Sequence, residues 1–346
     1  MTRYVLPIVV AVLVPRRPAT AQSVLDSFMT EPAGRIGLNY QGAFNVRASF
    51  KHLGNFPAAS NPGPATGGGI DRFYDDGFNR VDASGNAGGL TTYWSYQSPS
   101  QVPGNDTVVM HSSSVSSAHN SGAITDDPQH GFELTYAWPL STGKTWRWGL
   151  AAAFGFTDLS IKQNENYAGN IVRLSDAFTL GGITPPIAPY TGTFSGPGPL
   201  LGDTPGRTIT TIANAVSVAS QEQLNGQFYQ LRLGPYLEIP LTQHAAICLG
   251  GGLAGAVVHT AFEFNETGSL AGSGTFSASG RNWNSDGAVG GYASAQFLWA
   301  LSRHVALTAG GQYQSTGRFN QSIDGREAEL DLRNVIFVSA GLGYAF

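Results

Sequence analysis

The groups in this 346-residue chain that could do chemistry are seven histidines, one cysteine and 23 carboxylates. His259 stands four residues before Glu263, and His111 runs into Ser112, Ser113 and Ser114. Either pair could reach an outer rim, yet neither spacing is one that chemistry demands. A nucleophile, base and orienter are recognised by geometry. His244 and His304 fall in short turns on the other side. Asp71, Asp75, Asp76 and Asp82 crowd one segment, DRFYDDGFNRVD, but lack the alternate spacing of a calcium loop and are expected as solvated carboxylates. Cys248 excludes an internal disulfide, and its small neighbours make it a buried small hydrophobe. GGGLAG at 250–255 matches G-x-G-x-x-G, a motif that must end a strand and open a helix to hold a dinucleotide. Here AVVHTAFEF continues the strand, so the glycines are expected to thin and curve it. No cofactor, metal or catalysis is expected.

The elements that would position these groups are strands. In GRIGLNYQGAFNVRASF, Ile36, Leu38, Tyr40, Phe44, Val46, Ala48 and Phe50 alternate with polar and small residues. Period two over such a length predicts one long strand, 35–50, with two different faces. Similar runs predict strands at 128–140, 145–161, 225–241, 245–263, 286–301, 304–318 and 331–346. Short joints, WPLSTGKTW, IPLTQHAAI and WALSRHVAL, resemble one another and read as one reused hairpin turn. The other joints, 51–127, 163–224, 264–284 and 319–330, are long and polar. Short turns alternating with long loops are the asymmetry of a transmembrane barrel. The fold class expected is therefore all-β, an antiparallel up-and-down barrel of about eight strands. A further pair, 90–97 and 107–114, is expected as a hairpin rising from the first outer loop, with ten strands as the alternative.

On this register Arg47, Glu133, Arg147, Arg232 and Glu238 face the lumen. Eight strands leave room for little more than their own side chains, so a paired charge network that fills the lumen is expected. Trp138, Trp146, Trp148 and Trp299 flank the short turns, where one interfacial girdle would lie.

Composition agrees. Only 12% of residues are charged, Gly numbers 45, and the net charge of -4 gives no basis for nucleic-acid binding. Residues 1–21 read as a signal peptide: Arg3, an apolar run from Tyr4 to Val14, and Ala19-Thr20-Ala21 before the cleavage point. Residues 22–34 would then be a periplasmic segment ahead of a barrel spanning 35–346.

The last residues, LGYAF, place Leu342, Tyr344 and Phe346 on one face and end on an aromatic. With the signal peptide and the hairpin asymmetry, this resembles bacterial outer-membrane β-barrel proteins. The resemblance implies that Leu342, Tyr344 and Phe346 are an assembly signal read by the barrel-assembly machinery. The partners expected are outer-membrane lipid, that machinery, and an extracellular ligand held by the loops. The function expected is structural or surface-interacting, with a filled lumen. A narrow channel for small or apolar solutes and an outer-membrane enzyme with a rim site are the alternatives.

Overall fold

A computed structural model describes residues 34–81, 87–142, 146–270 and 274–346. The signal-peptide reading, nearly all of the 22–34 segment, Asp82 and residues 143–145 of the first short turn lie outside these. Among the described residues no helix is long and apolar enough to cross a membrane.

Eight antiparallel strands form the wall: β1 (Arg35–Phe44), β2 (Gln129–Thr142), β3 (Arg147–Thr179), β4 (Gly206–Pro240), β5 (Ala245–Leu270), β6 (Gly274–Ala300), β7 (Val305–Ser315) and β8 (Val335–Ala345). Each pairs with the next in sequence, and β1 pairs with β8 from Arg35 opposite Ala345 to Phe44 opposite Ile336. The ring is closed, so at this level no edge is left to seek another strand. The strand 107–116 belongs to the same sheet but pairs with β3 alone, so the ten-strand alternative does not hold.

Alternation decides the two faces. Leu38, Leu134, Leu150, Leu231, Leu253, Val289, Leu307 and Leu342 are exposed on the outer surface, with Gly, Ala, Thr, Gln and charged residues turned inward. Large apolar side chains left bare in a continuous belt are stable only against lipid. Trp138, Trp146, Trp148, Trp299, Tyr344 and Phe346 stand exposed along the end of this belt that carries the short turns.

Those turns repeat for a physical reason. At 241–245 the Leu241 amide donates to Ala245 O, and Thr242 Oγ1 accepts from the amides of His244 and Ala245. At 301–305 the Leu301 amide donates to Val305 O, and Ser302 Oγ accepts from those of His304 and Val305. One hydroxyl satisfies two turn amides in each case.

Three expectations need correction. The run 35–50 is not one strand: β1 stops at Phe44, Asn45 takes φ 62°, and the pairing resumes elsewhere at Arg47–Lys51. A single left-handed residue swaps the faces, so Val46, Ala48 and Phe50 turn inward instead of to lipid. The segments 90–97 and 107–114 do not pair with each other. Trp94–Tyr96 joins a small sheet with residues 77–79 and 190–191, and Thr107–Ser116 lies on β3. Much of 163–224 and 264–284 is strand, not loop, because β3, β4, β5 and β6 run far past the belt.

Candidate functional site

The lumen has two halves of opposite chemistry. In the half near the short turns, Arg232 pairs with Glu133, and Glu238 receives Arg35 directly and Arg147 at 3.7 Å. All five are largely buried, and Arg232 also lies over the Tyr292 ring, 4.9 Å from its centroid. Around them the wall supplies Asn39, Gln41, Thr157 and Gln230, with Gln41 donating to Thr157 Oγ1 and accepting from Gln230. Buried ions persist when paired and hydrogen-bonded, and this arrangement does both. A cavity among Arg35, Asn39, Arg232, Tyr236, Cys248 and Tyr292 remains.

Four of the five expected lumen charges, Glu133, Arg147, Arg232 and Glu238, lie in this network. Arg47 does not. It is exposed in the segment after Asn45, where its Nε donates to Asn45 Oδ1, because the change of face at Asn45 carries it out. Arg35 was missed, although its odd position on β1 already marked it as inward.

The outer half is apolar and solid. The strand Arg47–Lys51 and the hairpin of Arg318–Ile323 and Arg326–Asp331 form a small sheet tucked inside the ring. Val46, Ala48, Phe50, Leu53, Phe319, Leu330 and Leu332 pack there against Leu159, Ile161, Leu224, Phe228, Phe262 and Phe337 of the wall. Phe50 stacks on Phe262 at 5.5 Å. The hairpin is anchored by Arg326, whose guanidinium meets the fully buried Glu266 at 2.7 Å. Residues 319–330, expected as an outer loop, are this plug.

Close to the plug's outer edge lies Glu222, 1% exposed, with one carboxylate oxygen bonded by Ser220 and the other without a partner among the described residues. Burial, reinforced by Glu266 and Glu165, pushes its carboxyl up to about 7. Sequence gave no signal for Glu222 or for the Glu266–Arg326 pair, since both fell in segments read as loop.

Above the ring the extended strands carry a platform. Thr107–Ser116 lies along Asn170–Thr179 of β3. Trp94, Tyr96, Val108, Met110, Phe178, Leu180 and Leu201 form a second core there. Arg207 clamps Asp176 at 2.6 Å, and Tyr74 donates to the same carboxylate.

Of the histidines and aspartates singled out by spacing, His111 meets Asp76, while His259 and Glu263 take separate partners. His259 Nδ1 is 2.6 Å from Ser285 Oγ and its ring stacks on Trp283, while Glu263 pairs with Arg281 at 3.0 Å. His111 sits on the platform, 2.6 Å from Asp76. Asp75 accepts from Ser60 and the Ser113 amide, and Asp71 pairs with Arg80. The glycines of GGGLAG lie within β5, where a Cβ on Gly252 would stand 2.4 Å from Leu233 O of the neighbouring strand.

No family model and no curated protein matches the chain. Among solved structures it is similar to Ail of Yersinia pestis (10% identity, TM-score 0.28, covering 91% of this chain and 99% of that one). It is also similar to the protease OmpT of Escherichia coli (10%, 0.27, 91% and 97%) and to OprG of Pseudomonas aeruginosa (11%, 0.23, 91% and 97%). Scores this low add nothing to what the wall itself displays. A closed ring of eight antiparallel strands, short turns at one end, a bare apolar belt and a tryptophan girdle give this chain the fold of an outer-membrane β-barrel.

Proposed function

We propose that the protein is a non-catalytic barrel that anchors a rigid platform outside the outer membrane, with its lumen closed and its contacts made by the platform. The observation that carries this reading is the plug: three strand segments with a continuous apolar core fill the outer half of the ring. Burying Phe50, Leu53, Phe319 and Leu330 stabilises it by about 1.5–3 kcal/mol per side chain, so it does not leave readily. Assembly machinery and an extracellular ligand are the partners that go with this reading. The inner polar cavity supports the channel alternative, which additionally requires the plug to move.

Planar-bilayer recording separates the two. The intact protein should show little steady conductance, and the double variant Ala48→Asp with Leu330→Asp, which places carboxylates inside the plug, should show more. Large, stable open steps from the intact protein would overturn the closed-lumen reading and favour the channel.

A further inference from the structure

The extended strands leave two open sheet edges outside the ring, and the chain treats them differently. Beyond Gly291, β6 has no strand on its β7 side, because β7 ends at Ser315. That edge is guarded: Arg281 and Asp286 lie along it, and Asn282 and Asn284 donate to Ser322 O and Asn320 O of the plug hairpin. Charge and side-chain cover are the usual protections of an exposed edge.

From Thr208 onward the outer end of β4 has neither. Gly206–Ile212 pairs with Ile171–Ala177 of β3 on one side, and β5 joins only from Val216 onward, after a bulge. Among the described residues no backbone hydrogen bond reaches the other side of this segment. From Thr208 to Ala215 it reads TITTIANA, uncharged and rich in β-branched residues, with Ile209 63% and Ile212 43% exposed. Nor is the segment loose, since Arg207 ties its start to Asp176 and the platform holds β3 from the far side.

We propose that this edge of β4 is a docking strand that takes an extended polypeptide segment of another extracellular molecule by main-chain β-addition. The proposal rests on the surface-interaction reading and names its partner class. A row of unpaired amides and carbonyls recognises an extended backbone, and Ile209 and Ile212 offer one apolar contact on each face. A second copy in the same membrane is a poor occupant. Both copies would carry β4 running inward in the same sense, so these edges cannot form an antiparallel pair. A symmetric parallel pair sets like groups opposite one another.

The test uses the full-length protein in detergent micelles and a labelled peptide copying Asn170–Ala177, the sequence that β4 already pairs with on its covered side. Two further peptides carry N-methyl groups on alternate sets of amides. One set should weaken binding about tenfold or more and the other leave it nearly unchanged, since only alternate amides face the receiving strand. The alternate amides of 207–213 that point away from β3 should gain hydrogen-exchange protection. Ile209→Lys with Ile212→Lys should remove binding while gel migration and bilayer behaviour stay as in the parent. The absence of binding at about 1 mM peptide, or equal loss from both methylated sets, would overturn the proposal. Dimers that the lysine pair abolishes would overturn it in favour of a second copy. Failure here with a closed lumen leaves the anchoring reading standing, and an open lumen with intact peptide binding removes only the closed-lumen part.

Discussion

Arg232 and Glu133 form an ion pair across a strand to which neither belongs. Arg232 is on β4 and Glu133 on β2, with β3 between them, where their register partners are Ala153 and Gly155. The small residues of GLAAAFGF are what let the two long side chains meet over the inner wall. A Cβ on Gly155 would stand 2.4 Å from Gln230 Nε2.

Arg232→Ala should therefore destabilise the barrel by about 3–5 kcal/mol, because it strands a buried carboxylate. Arg232→Met combined with Glu133→Leu should recover most of that loss. Urea titration of the protein refolded into micelles measures both, and a double variant no better than the single would show that the pair's charge is not what matters. Gly155→Leu should disturb the same contact without touching either ion.

Asn45 turns the chain into the plug at φ 62°, its side chain donating to Asn334 O at 2.6 Å and its amide to Asp127. Asn45→Gly keeps the backbone and should cost about 1 kcal/mol for the lost side-chain bond. Asn45→Val adds a β-branched residue in the left-handed region and should cost a further 1–2 kcal/mol or so. Proteolysis of the segment after Lys51 reports the loss.

The plug should tighten in mild acid. Glu222 has a folded pKa of about 7, above its ordinary value of 4.5. The folded state thus holds a proton that the unfolded state has released between these values. Stability from this group is full below about pH 4.5, falls as pH rises, and is lost above about 7, a change on the order of 3 kcal/mol. Hydrogen-exchange protection of residues 318–331, taken relative to the intrinsic exchange rate at each pH, should fall from pH 5 to pH 8 in the parent protein. Glu222→Gln should flatten that dependence, and an unchanged profile would remove Glu222 as its cause.

Phe346 closes β8 beside β1, its amide donating to Gly34 O at 3.3 Å and its ring 54% exposed at the belt's inner end. Phe346→Asp removes about 1.5–3 kcal/mol of lipid-facing burial. If Leu342, Tyr344 and Phe346 are an address as well as a strand, insertion in cells should fall far more than unassisted refolding into detergent. Equal failure in both assays would leave Phe346 a structural role alone.

What the sequence made legible was whatever period two controls: the eight wall strands, their lipid face, the girdle of Trp138, Trp146, Trp148 and Trp299, and the inward side of Glu133, Arg147, Arg232 and Glu238. Alternation is a local property, and a strand displays it without its partners. The plug was hidden because Asn45 reverses the faces without breaking the apolar rhythm, so Val46, Ala48 and Phe50 looked like more lipid-facing wall. The outer reaches of β3 and β4 were hidden for a different reason. Past the belt the outward face turns from lipid to water, and where the buried inner face is itself polar, as at Gln163, Ser220 and Glu222, stretches such as QNENYAGN lose the contrast that marks a strand. Glu222 and the Glu266–Arg326 pair went with them.

The unequal strand lengths also set a height. From Tyr229, at the outer limit of the apolar belt, β4 runs back to Gly206 in continuous strand. At about 3.3 Å per residue and a tilt near 40°, its far end stands roughly 50–60 Å clear of the lipid. Only β3 to β6 rise in this way, so the molecule is a mast set at one side of its own footing. Whatever meets its tip need not penetrate the headgroup layer at all, and a partner too bulky to approach the bilayer can still reach it.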